Sequence, residues 1–354
     1  MAKLVFSYGD GAGCNSKLPP CMLQGVLLGA GICTPVGEHL MDRDDAAAVH
    51  QPDGSWLIFT ADNSPLTGDT EYNCGRIAAL NAMSDVWAMG GIPRYLAGTL
   101  MATKELTREQ LTDVVRGANA AAQECGAVYV TGQMNLQKTS VTPWLGFSVV
   151  GTVPSGREPT LKRNLRVGDI LLLTKPIGTG IILAASQLGL IENGLDEAVK
   201  VMCASNRVAC EIFCKHGVLA ATDISGNGLG GSLAEMTAMS GVAMSISPKS
   251  VALIPGTESA LEKLPGYGSL QLDNWEWAKK ICEWVNLSDQ RATAILFDPQ
   301  TSGGLLGGVR AGRATAVIGE LREAGLNASA VGRVTHAGAP QITLDDDGRD
   351  MLHV

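Results

Sequence analysis

A chain of 354 residues is longer than one hydrophobic core usually organises, so two domains are expected. Hydrophobic residues at 45% and charged residues at 18% exclude a disordered chain. With 27 basic against 35 acidic residues, a net charge of −8 and no basic run, nucleic acid is excluded as a partner.

The opening residues, MAKLVFSYGDGAG, hold no long apolar core behind Lys3, so no secretory signal is expected. Residues 1–40 read as a separate glycine-rich arm. The apolar stretch 22–36 is short and broken by Gly25, Gly29, Gly31 and Pro35, so it cannot span a membrane. From about residue 45 strands and helices alternate. Residues 56–62 read as a buried strand. Residues 73–90 read as a helix, with Asn73 as N-cap and Gly90-Gly91 as the stop. A strand at 96–102 precedes a helix at 107–125, opened by Thr107. Residues 127–132 and 144–153 read as strands. The turn-rich stretch 153–167 marks the domain boundary, dividing residues 41–156 from 157–354.

The second half resumes the alternation. Strands are predicted at 169–175, 217–223, 242–247, 294–298, 305–309 and 329–334. Helices are predicted at 178–188, 195–215, 229–239, 274–285 and 313–324. The fold class is therefore mixed α/β in both halves. The nine cysteines form no CxxC pair, and the five histidines show no metal-like spacing. Free thiols in a reducing cytosol are expected. Cys210 and Cys214 share a helix face and read as buried thiols.

Acidic residues at element ends carry the chemical signal. Asp44-Asp45 precede a small apolar run, Asp62 and Asp223 end apolar strands, and Asp85 sits inside an apolar helix. Carboxylates there are costly unless paired, hydrogen-bonded or metal-bound. Mg²⁺ prefers such hard oxygens and binds ATP through one or two carboxylates plus the phosphates. Asn81 and Asp85, four apart, share one helix face. The arm sequence 9–17 adds glycines, Cys14 and Lys17, without Walker A spacing. Glycine-rich turns at 175–180 and 223–231 open helices, whose free N–H groups favour anions. The turn at 298–304 reads equally as an anion loop or a hairpin.

Taken together, these segments resemble selenophosphate synthetase (selenide, water dikinase), of the aminoimidazole ribonucleotide synthetase-like ATP enzymes. The similar segments run in order over nearly the whole chain: GAGCNSK (11–17), RDDAA (43–47), FTAD (59–62), GRIAALNAMSDVWAMGG (75–91), TKPIGTG (174–180), ATDISGNGLGG (221–231) and DPQTSGGLL (298–306). The resemblance implies a two-domain mixed α/β fold and a homodimer paired through the N-terminal domains. It puts Mg²⁺ on Asp45, Asp62, Asp85 and Asp223, and Cys14 and Lys17 in catalytic positions on an arm that closes over ATP. Thr60, Asn81, Gly132 and Gln133 fall on nucleotide positions. The implied reaction converts ATP, selenide and water to selenophosphate, AMP and phosphate. Partners would be ATP, selenide and a selenium-delivery or selenium-using protein, in the cytoplasm. The chain departs from the family at Ser16, Thr131, Asn227 and Ser232, so a related kinase or synthetase with another small nucleophile is the alternative.

Overall fold

The computed structural model describes residues 44–138, 142–266 and 268–345, with Leu4, Met22, Val26 and Ala30. The arm residues Cys14 and Lys17 lie outside the described residues. In the first half, β1 (Ala47–His50), β2 (Trp56–Pro65), β3 (Ile92–Thr103), β4 (Val128–Gln137) and β5 (Trp144–Val153) form one sheet in the order β1-β2-β5-β3-β4. Only the β3–β4 pair is parallel. Alternation sends Trp56, Ile58, Thr60, Asp62 and Ser64 of β2 to one face of the sheet. Helix α1 (Glu71–Ala88) packs on that face, and α2 (Arg108–Glu124) crosses α1.

The N-cap of α1 is Thr70, whose hydroxyl accepts from Asn73 N–H; the expected cap, Asn73, is one turn inside. For α2 the expected opening is found: Thr107 and Gln110 form a reciprocal capping box. The crossing of the two helices is close enough to demand glycine. A Cβ on Gly75 would stand 1.7 Å from Val114 O, and one on Gly117 1.8 Å from Tyr72 O. Most of α1 from Cys74 onward is therefore buried, the polar Asn81 and Ser84 included.

The second half holds β6 (Asp169–Leu173), β7 (Ala220–Asp223), β8 (Val242–Ile246), β9 (Glu283–Val285), β10 (Leu305–Arg310), β11 (Ser329–Ala337) and β12 (Gln341–Leu344). They form one sheet in the order β7-β10-β6-β11-β8-β12-β9. Its helices are α3 (Thr179–Gln187), α4 (Leu195–Met202), α5 (Arg207–Lys215), α6 (Gly228–Ser240), α7 (Thr257–Lys263), α8 (Ser269–Ile281), α9 (Gln290–Leu296) and α10 (Ala311–Glu323).

Three expectations are corrected here. The helix expected over 195–215 is two helices, α4 and α5. They are broken where the buried Asn206 side chain donates to Ser84 Oγ (2.9 Å) and Gly303 O (2.8 Å). The strand expected at 294–298 lies mostly in α9, capped by Asp289, so the 298–304 turn joins a helix to β10 and is no hairpin. The helix expected over 274–285 ends at Ile281, and its last residues form β9.

Both faces of β6 are buried. Ile170 and Leu172 join a core that runs through Ile58, Leu80, Val86 and Phe147 of the first half to Phe213 and Val317. Leu171 and Leu173 face a second core with Leu229, Met244, Trp277 and Phe297. The two halves thus share one apolar core. The expected boundary segment is stitched across it, Thr160 N to Met89 O (3.0 Å) and Leu161 N to Leu219 O (2.9 Å).

Candidate active site

Two elements cross at the centre of the site. Thr60 and Asp62 lie two apart on the covered face of β2, and Asn81 and Asp85 lie one turn apart on α1. The spacings match, so the side chains pair directly: Thr60 Oγ1 donates to Asp85 Oδ2, and Asn81 Nδ2 donates to Asp62 Oδ2. Asn81 Oδ1 in turn accepts from Ser302 N–H at 2.7 Å. That bond ties the first half to the 298–304 loop of the second, where Ser302 holds a left-handed φ of 50°.

Asp45 arrives just ahead of β1. Its Oδ1 accepts from Thr222 Oγ1 (2.8 Å) and pairs with Lys162 Nζ (2.9 Å), while its buried Oδ2 has no hydrogen-bond partner among the described residues. Asp223, buried at the end of β7, sits opposite Leu305 of β10. Asp85 is a partly buried residue among these groups. Its carboxyl is pushed well above the usual range, first by burial and then by Asp223, Asp62 and Asp45, against the Thr60 hydrogen bond. The structure therefore brings Asp45, Asp62, Asp85 and Asp223 into one electrostatic neighbourhood.

This donor set fits Mg²⁺. Hard oxygens, an orphaned buried carboxylate oxygen and mutual repulsion all favour a divalent cation there. Among the described residues no three carboxylates already surround one point. That suits ions held by one or two carboxylates each, with phosphate completing the shell.

Two lysines not singled out as site residues in the sequence stand beside the carboxylates. Lys162 is buried; burial lowers its pKa, but Asp45, Glu235 and Asp44 outweigh it and raise the ammonium well above its usual value. Burial and Asp45 push neighbouring Asp44 up to about 7. Lys175 Nζ donates to Ala204 O (2.6 Å) and Ser302 O (3.0 Å), and burial, against the pull of Asp223, brings it down to about 7. Lys162 opens a short 3-10 helix (Lys162–Asn164) and Lys175 follows β6, and the carboxylates they face come from elsewhere in the chain.

The α3 N-terminus, expected to offer free N–H groups to an anion, is already satisfied. Gln300 Oε1 accepts from Gly178 and Thr179 N–H (2.9 and 3.1 Å), and Asp298 Oδ2 accepts from Gly180 N–H (3.1 Å). The 298–304 loop thus caps a helix as well as binding Asn81. The α6 N-terminus has no side-chain cap. Gly132 and Gln133 are not brought to the carboxylates. They lie exposed on β4, in the row Asp62–Phe147–Gly98–Gly132, three strand spacings or about 14 Å across the sheet from Asp62.

Comparisons with known proteins show the family and the fold. Residues 43–153 match the AIR synthase related protein, N-terminal domain, and residues 166–345 match the AIR synthase related protein, C-terminal domain. The chain is 35% identical over 343 residues to a selenide, water dikinase of Porphyromonas gingivalis, covering 94% of this chain and 95% of that protein. It is likewise 35% identical over 347 residues to a selenide, water dikinase of Pelobacter propionicus, covering 95% and 96%. The chain belongs to the selenide, water dikinase family. A solved structure of hydrogenase maturation protein HypE in complex with ATP shares the fold, with a TM-score of 0.63 at 18% identity over 93% of this chain and 89% of that one. The mixed α/β fold in two halves is that of the AIR synthase related proteins, as the dikinase resemblance implied.

Proposed function

We propose that this chain makes selenophosphate from ATP, selenide and water, releasing AMP and phosphate. The observation that carries the proposal is the gathering of Asp45, Asp62, Asp85 and Asp223, from both halves, into one electrostatic neighbourhood. In this proposal Asp45, Asp62, Asp85 and Asp223 would hold Mg²⁺, which would supply charge neutralisation for the triphosphate. Thr60 and Asn81 hold two of the carboxylates in place through their hydrogen bonds. Phosphoryl transfer asks for this kind of positioning and charge compensation more than for covalent help.

The arm, residues 1–40, acts as the lid. Lys17 neutralises phosphate charge and Cys14 handles selenide. Lid closure keeps water from the first transfer, in which the γ-phosphoryl goes to selenium; hydrolysis of the remaining ADP follows. Residues 41–156 form the ATP and dimerisation domain and residues 157–354 the C-terminal domain. The outer face of the first sheet leaves Phe59, Tyr95 and Val128 exposed beside the β4 edge, which pairs with no further strand among the described residues and suits pairing with a second copy. In such a homodimer Gly132 and Gln133 of one copy serve the nucleotide of the other. No helix among the described residues is long and apolar enough to cross a membrane. The proposed setting is the cytoplasm, with a selenium-delivery or selenium-using protein as a further partner.

Phosphorus NMR of the protein with ATP and Mg²⁺, with and without selenide, tests the proposal. Selenide-dependent AMP with a selenophosphate signal is the expected result. ADP as end product would indicate a kinase with another acceptor and overturn it.

A further inference from the structure

Cys210 and Cys214 stand one turn apart on α5, at the seam between the two halves, with their sulfurs 3.9 Å apart. Arg157, from the segment joining the halves, donates through Nη2 to Cys214 Sγ and to Gly90 O (3.0 Å). Cys214 Sγ lies 3.7 Å from Gly90 O, and Cys210 Sγ lies 3.8 Å from Gly91 O. Cys210 is buried and Cys214 is partly exposed. Among the other described cysteines, Cys74, Cys125 and Cys282 are buried. Cys203 is partly exposed, but burial pushes its thiol up to about 11. Cys214 therefore combines partial exposure, a guanidinium directly on its sulfur and a second thiol in reach, and none of these serves the phosphoryl-transfer site.

We infer that Cys214 and Cys210 form a peroxide-reactive dithiol, with Cys214 the attacking thiolate and Cys210 the resolving thiol. The thiolate form is what reacts, and a neighbouring cation favours it. Consistent with that role, the hydrogen bond from Cys210 and the Arg157 guanidinium outweigh burial and Glu211 to bring Cys214 down to about 7, while Cys210 is raised. Cys214 sulfur attacks one peroxide oxygen. The S–O bond forms as the O–O bond breaks, and hydroxide leaves to become water. Cys210 sulfur, giving up its proton, then attacks the sulfenic sulfur. The S–S bond forms, the S–O bond breaks, and a second water departs. Two thiols have supplied the two electrons that reduce one hydrogen peroxide to two waters.

Helix geometry holds residues four apart with Cβ atoms about 5–6 Å from each other, whereas a disulfide needs about 3.5–4.5 Å. The bond therefore draws in the last turn of α5. Cys214 is the penultimate residue of that helix, followed by the cap His216 and by Gly217 at φ 69°, so the change falls on an end able to yield. Closing the bond also pulls both sulfurs from the carbonyls of Gly90 and Gly91, just past the end of the helix that carries Asn81 and Asp85.

The test uses the whole chain, reduced, then treated with hydrogen peroxide and digested with trypsin. Cleavage after Arg207 and Lys215 releases residues 208–215 as one peptide that holds both cysteines and no other. That peptide should become resistant to alkylation and lighter by two hydrogens before Cys74, Cys125, Cys203 or Cys282 is oxidised, and dithiothreitol should reverse the change. Cys210→Ser should instead trap a sulfenic acid on Cys214 that dimedone labels. Arg157→Gln, with its fold checked by circular dichroism, should slow Cys214 alkylation several-fold at neutral pH. A peptide still in the dithiol form when Cys203 has oxidised would overturn the inference. So would Cys214 bonded to a different cysteine, or an unchanged alkylation rate in Arg157→Gln.

Discussion

Asp85 is held by protein on most sides, hydrogen-bonded by Thr60 and repelled by three other aspartates. Removing its charge relieves that repulsion and also removes a metal oxygen. Asp85→Asn should therefore lower turnover by at least about 10²-fold, a typical cost for losing one preorganised charge-stabilising group. In metal-free buffer it should raise Tm or leave it unchanged. Turnover and differential scanning calorimetry measure the two effects, and a variant that is both active and less stable contradicts the assignment. At this scale the aspartates were legible, because carboxylates ending apolar strands or interrupting an apolar helix are conspicuous. Lys162 and Lys175 were not, because their partners Asp45, Glu235, Ala204 and Ser302 lie far away in the chain.

The 298–304 loop caps α3 through Gln300 and Asp298 and reaches Asn81 through Ser302. It leaves no room at Gly180, where a Cβ would stand 2.4 Å from Asp298 Oδ1 and 2.5 Å from Pro299 O. Gly180→Ala should cost about 1–3 kcal/mol of stability, the range for overpacking a tight interior. Urea unfolding measures it, and a loss near zero would mean the loop is slack.

Burial raises Asp298 to about 7, above its ordinary value. A raised carboxyl binds its proton better in the folded state. Its stabilisation is present below about pH 4 and is lost as pH rises through about 7. Asp298→Asn should therefore gain on the wild type, in Tm, as pH rises from about 5 to about 8; a constant gap would contradict the burial effect. The loop's role was hidden from sequence because its flank AILF is a short apolar run. Such a run fits a buried strand as well as the helix α9 that forms, and periodicity cannot separate them. The break between α4 and α5 depends on Asn206 meeting Ser84 and Gly303, again a tertiary contact.

Across the whole molecule, one core joins the first sheet to β6, α5 and α10, and the carboxylates sit where the two halves meet. The mixed α/β class and the family were legible because seven short segments fall in order along the chain. The place of Gly132 and Gln133 was not, since sheet order is set by pairing and puts them on the β4 edge. The account rests on the convergence of Asp45, Asp62, Asp85 and Asp223 on a metal–nucleotide complex. The most direct measurement is Mn²⁺ binding, followed by electron paramagnetic resonance, with a non-hydrolysable ATP analogue. It should be made on the wild type and on Asp45→Asn, Asp62→Asn, Asp85→Asn and Asp223→Asn. Nucleotide-dependent Mn²⁺ binding that each substitution weakens is the predicted result. Variants that bind Mn²⁺ and nucleotide as the wild type does would contradict it.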